Sequence, residues 1–174
     1  MERPIAWFLV LTMSIATAQV NLLTTGLAVL STLALGLSAG AMLTEGAVMV
    51  PYWRSLPPDA FLRWYAENAA RLLAFFGPLE IAATVLALAA AVLSGVRRAA
   101  GIGLLVVAAT LALAVLAPFP IYFGDVNASF AAATIAPEQV GEELTRWAAW
   151  HWVRTALGLG AFLAALLAVR RTAA

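Results

Sequence analysis

From Ile5 to Val50 the chain runs for 46 residues with one charged side chain, Glu45. As a single straight helix this run would be about 69 Å long at 1.5 Å per residue, whereas the hydrocarbon core of a bilayer is only about 30 Å thick. A break is therefore expected, and Gln19, Asn21 and Thr24-Thr25-Gly26 are where the run is least apolar. The rest of the chain has the same character. Hydrophobic residues make up 64% and charged residues 11%, against roughly 45–50% and about 25% in soluble domains. These values place an all-α, polytopic integral membrane protein in a single domain, residues 1–174.

Composition also excludes chemistry. The sequence has no cysteine, so disulfides, thiolate metal sites, iron–sulfur clusters and CxxC chemistry are ruled out. Net charge is +1 without a basic tract or an acidic tail, which excludes a nucleic-acid partner. All ten basic residues are arginine and alanine is abundant, a bias that suits a GC-rich bacterial genome and hence the bacterial cytoplasmic membrane.

Four core spans are predicted at about 27–50, 72–94, 101–117 and 146–170. Residues 1–22 form an extra apolar segment. IAWFLVLTMSI followed by Ala16-Thr17-Ala18 has the outline of a signal peptide, but its one arginine is offset by Glu2. The expectation is a retained helix, either interfacial or a fifth pass. Pro51 is expected to close the first span, with Gly36 and Gly40 offering a close-packing face. Pro57-Pro58-Asp59 reads as a helix start and AFLRWYAENAARLL as an amphipathic helix feeding the second span, which Gly77-Pro78 should kink. The PFP at 118–120 should stop the third span. A long connection, 117–145, follows, and the last helix begins at Pro137. Arg97-Arg98 and Arg170-Arg171 fall on one side, which the positive-inside rule makes cytoplasmic together with the C-terminus. The 117–145 connection is then extracytoplasmic.

This topology brings the ionisable residues to one level. Glu45 lies five residues before the outer end of its helix, Glu80 about eight into its span, and His151 and Arg154 four and seven beyond Trp147. All are on the order of 6–12 Å below the same outer surface. Trp147, Trp150, His151 and Arg154 are spaced i, i+3, i+4, i+7 and share a helix face. Charges inside a span normally face protein and a partner, and Glu45 is expected to pair with Arg154 or His151. Different surroundings would let one of Glu45 and Glu80 act as acid and the other as base. The candidate catalytic set is therefore His151, Glu45, Glu80 and Arg154. The same residues also read as structural glue between helices. One histidine and two glutamates are suitable metal ligands in type, yet no Glu-x-x-His spacing supports a metal, and no cofactor is expected. A proton-coupled carrier finds little support, since no inverted repeat is visible.

LSAGAMLTEGAVMVPYWRSLPP in the first span, the N-x-x-F segment Asn127 to Phe130 and above all RWAAWHWVRTALGLGAFLAALLAVR resemble the bacterial four-helix integral membrane family that includes the anthrone oxygenase-like proteins, most of which have no assigned function. The resemblance covers about residues 27–171. It departs from the family pattern in the long connection, where Pro120 stands well apart from Asn127. It implies cofactor-independent oxygenation of anthrone to anthraquinone. A base, His151 or a glutamate, would remove the acidic proton and Arg154 would stabilise the anion. Trp147 and Trp150 would stack on the flat ligand, with Asn127 a further contact. The partners are then membrane lipid and a lipophilic small molecule. The alternative is a non-catalytic lipid- or quinone-binding protein, or an accessory subunit of a larger membrane complex; whether the chain forms a homo-oligomer stays open.

Overall fold

In lipid no water is present to satisfy backbone N–H and C=O groups, so a spanning segment must pair them internally. A chain this apolar responds by becoming helix almost throughout. The computed structural model describes residues 3–172, with six α-helices and no strand among the described residues: α1 (Arg3–Thr44), α2 (Val50–Ser55), α3 (Pro58–Val96), α4 (Ile102–Leu116), α5 (Gly124–Ala131) and α6 (Pro137–Thr172). Two π turns, Glu45–Met49 and Phe119–Phe123, join α1 to α2 and lead into α5. Four stretches are long and apolar enough to cross a membrane: Asn21–Ser55, Pro58–Val96, Ile102–Ala131 and Pro137–Arg171.

The predicted break near residues 19–26 is absent. The segment 1–22, expected as an interfacial helix or a fifth pass, is from Arg3 onward the beginning of α1, whose 42 residues continue to Thr44. Gln19, Asn21, Thr24 and Thr25 all keep their backbone N–H, so none removes a helical hydrogen bond. A lone glycine such as Gly26 costs a helix only about 1 kcal/mol.

Prolines also act differently from expectation. Pro51 does not close the first span. The helix widens into a π turn just before it, where the Val50 N–H donates to the Glu45 carbonyl five residues back, and then continues through α2. The widening accommodates a ring that would otherwise press on the carbonyl four residues earlier. The same device operates at the PFP: the Gly124 N–H donates to the Phe119 carbonyl, and the chain passes into α5 rather than stopping. Much of the 117–145 connection is consequently helical. Pro78 lies inside α3, which runs unbroken from Pro58 to Val96. The starts at Pro58 and Pro137 are as predicted.

The four long segments form a ring in which α3 packs between α1 and α4, and α6 closes it against α4 and α1. Three layers stack along the bundle. One is an alanine-rich core, including Ala28, Ala87, Ala108 and Ala165, where small side chains let backbones approach closely. The opposite one is aromatic, built on Trp53, Phe61, Tyr65, Phe123, Phe130 and Trp147. Between them lie the buried polar residues Glu45, Glu80, His151 and Arg154. α1 meets the alanine layer first and the polar layer last, α3 meets them in reverse, and the alternation continues through α4 and α6. The short α3–α4 turn depends on Gly101, whose φ is +82° and whose missing Cβ would stand 3.0 Å from the Ala168 carbonyl oxygen. Gly101→Ala is expected to lower stability by at least the roughly 1–2 kcal/mol of a left-handed residue, read as a lower thermal midpoint in detergent.

Candidate functional site

The site begins with the π turn at the end of α1. There Gly46 lies against the imidazole of His151: a Cβ on it would stand 3.1 Å from the ring. His151 is fully buried, with Nε2 2.8 Å from the Met42 carbonyl oxygen. A carbonyl can only accept, so Nε2 carries the proton and Nδ1 presents a lone pair. That lone pair faces Glu45 Oε2 at 3.6 Å and has no hydrogen-bond partner of its own. Two acceptors face one another here unless a proton lies between them. A proton taken up here would lie between the two groups, on the carboxyl or on the imidazole. Trp147 fixes the imidazole from the other side, its ring stacked at 4.9 Å and 10°.

Arg154 lies one turn further along α6 and contacts three other elements. Its Nη2 donates to Glu80 Oε2 at 2.5 Å, and its Nε to the Val115 carbonyl at 3.0 Å. The guanidinium carbon lies 4.7 Å from the Phe123 ring centroid, a cation–π contact. One side chain from α6 therefore ties together α3, α4 and the second π turn. Of the two partners expected for Glu45, the structure selects His151, while Arg154 takes Glu80.

A cavity of about 540 Å³ opens beside these groups, with Glu45, Glu80, Arg154, Trp147 and Asn127 at its polar end and Leu72, Phe76 and Leu116 among its apolar walls. The Trp147 indole N–H donates to Asn127 Oδ1 at 2.9 Å, so both residues are held in position on the cavity wall. His151 does not reach the cavity; it stands behind Glu45. Trp150, expected to stack on a ligand, is 42% exposed and packs outward against Tyr122. The reason is angular. Relative to Trp147 at about 100° per residue, His151 and Arg154 fall within about 40° but Trp150 is rotated by about 60° to one side. Tyr65, which the sequence reading did not single out, is buried and lines the cavity; its place three residues before Asn68 in the amphipathic stretch was the available signal. Among the described residues no group of three or more His, Cys, Asp or Glu side chains is placed to hold a metal ion.

No protein-family model, curated protein or solved structure matches the chain.

The chemistry of the site therefore rests on its own geometry. It has a carboxyl on the wall of a largely apolar cavity, an imidazole behind that carboxyl, and an ion-paired guanidinium on the same wall.

Proposed function

We propose that this protein takes a lipophilic aromatic molecule from the membrane into the cavity and that Glu45, backed by His151, removes a proton from it. The observation that carries this reading is Glu45 itself: it lines the cavity and has an unpartnered imidazole nitrogen behind it. A cavity of about 540 Å³ falls within the roughly 300–1,000 Å³ typical of small-molecule sites. Its rim supports entry from the lipid, because Leu73, Ile81 and Phe119 both line it and are exposed on the outside of the bundle.

An anthrone-like reaction suits such a site. Glu45 accepts a proton from the methylene flanked by two aryl rings, and the negative charge moves onto the ring-system oxygen, where Arg154 and the Trp147–Asn127 edge offer a polar setting. The carbanion reacts with dioxygen. One oxygen atom stays as the new carbonyl, and the other leaves as water with the two methylene hydrogens. The polar end lies in the outer half of the cytoplasmic membrane on this reading, with the C-terminus in the cytoplasm. The test is direct: purified protein in detergent, given anthrone in air, should consume one dioxygen per anthrone and produce quinone absorbance faster than protein-free micelles. Equal rates with and without protein would remove the oxygenase reading.

A second reading, a lipid- or quinone-binding subunit without turnover, draws on Arg154, all of whose observed contacts hold helices together. It expects a quinone to quench Trp147 fluorescence saturably with no oxygen uptake.

A further inference from the structure

Glu45 also lines a second cavity, of about 400 Å³, set between the end of α1 and the first half of α3. The two cavities share Glu45, Leu72 and Phe76. Leu72 and Phe76 are one turn apart on α3, so with Glu45 they form a thin partition. Among the described residues Glu45 is the only ionisable side chain common to both, and its side chain keeps 9% exposure.

The mouths differ in chemistry. The first cavity is rimmed by the exposed apolar residues Leu73, Ile81 and Phe119. The second is bordered by Thr44 and Arg71, both exposed, and by half-buried Asn68, with the exposed ring of Phe75 beside them. Asn68 and Arg71 are three apart on α3 and belong to its polar opening stretch, next to the aromatic layer rather than deep in the apolar span. Arg71 makes none of the ion pairs observed among the described residues. The Asn68 amide and the Thr44 hydroxyl donate to the Trp64 and Gly40 carbonyls, so the Arg71 guanidinium is the group that draws water to this opening, whereas no charged side chain stands among the leucine, isoleucine and phenylalanine at the other.

We infer that the second cavity is a water-side passage to Glu45, through which the carboxyl exchanges protons with solvent and water leaves while a lipophilic molecule occupies the first cavity. The passage deepens the reading of Glu45 as the acid–base group and rests on it for its purpose. A ligand filling the apolar cavity closes that route to water. A proton taken from the ligand then resides on the Glu45–His151 pair, and it can leave only by transfer to a water molecule on the other face of the carboxyl. The proposed reaction also forms water at this point, and an apolar mouth is a poor exit for it.

Access to Glu45 can be measured without turnover. Carbodiimides couple to carboxyl groups, and mass spectrometry locates the adduct. In the protein as purified, a membrane-soluble carbodiimide and a water-soluble one should both label Glu45, and Glu45→Gln should lose both adducts. Asn68→Phe, which fills the second mouth, should lose most of the water-soluble label and keep the membrane-soluble one. Leu73→Trp, at the first mouth, should do the reverse. Thr44→Phe closes the second mouth from α1 and should match Asn68→Phe should that variant fold poorly. Absence of water-soluble label at Glu45 in the unaltered protein, or its persistence in both closing variants, overturns the passage. Because no step of this assay needs oxygen uptake, the passage and the oxygenation reading fail separately.

Discussion

Arg154→Ala should destabilise the bundle by about 3–5 kcal/mol, the usual cost of removing one member of a buried ion pair. The size of the effect follows from what remains. Glu80, 8% exposed, would keep a carboxylate with no cation, and the Val115 carbonyl and the Phe123 ring would lose their contacts on two further elements. Glu80→Gln should cost less, because an amide can still accept from the guanidinium and leaves no isolated negative charge. Replacing both partners with apolar side chains of similar volume, Arg154→Met with Glu80→Leu, should recover most of the loss, since a buried pair often contributes little over a hydrophobic replacement. Unfolding in mixed detergent micelles, followed by helical circular dichroism, measures all three. A loss below about 1 kcal/mol for Arg154→Ala would mean that the pair behaves as a solvated surface bridge and that the polar layer does not clamp the helices.

The clamp explains why this part of the molecule was legible in the sequence. Glu45, Glu80, His151 and Arg154 are isolated polar residues in greasy helices, and placing spans by length alone puts them at one level. The structure brings them together. The pairing was only half readable, because periodicity fixes which side chains share a face and not which oxygen a guanidinium reaches. Glu45 meets His151 through a π turn, and no periodic pattern announces a turn in which the helix takes up one extra residue. The same limit explains Pro51 and the PFP. Proline at a helix end and proline following a π turn look alike in sequence, yet one stops the chain and the other lets it continue. Trp150 shows a different limit: the i, i+3, i+4, i+7 stripe is wide, and a residue on its edge can pack against Tyr122 on the outer surface while its neighbours turn inward. The break expected in α1 rested on a 46-residue run being longer than a bilayer is thick, but excess length does not oblige a helix to end, and the polar side chains at 19–25 leave its backbone hydrogen bonds intact.

Glu45→Gln should lower the turnover number by roughly 10²–10⁴, the range that a positioned acid or base contributes, without weakening ligand binding. The substitution keeps the side-chain volume at the partition between the two cavities, and the amide can turn an N–H toward the His151 Nδ1 lone pair 3.6 Å away, so the fold and the cavity walls stay in place. Only the capacity to receive a proton is lost. His151→Gln supplies the contrast. A glutamine amide can still donate to the Met42 carbonyl that now accepts from Nε2, which preserves the tie to α1, but nothing behind Glu45 then shares its proton. Turnover should fall by less than in Glu45→Gln, and the pH profile should change shape, an outcome that a purely structural histidine would not produce. Oxygen uptake measured against pH for the three proteins, with the ligand's binding curve recorded beside it, separates these cases. Wild-type turnover in Glu45→Gln would leave the carboxyl as a wall residue and move the search for the base to Glu80. Glu80 is the weaker candidate on geometry, because its Oε2 is already held by Arg154 at 2.5 Å.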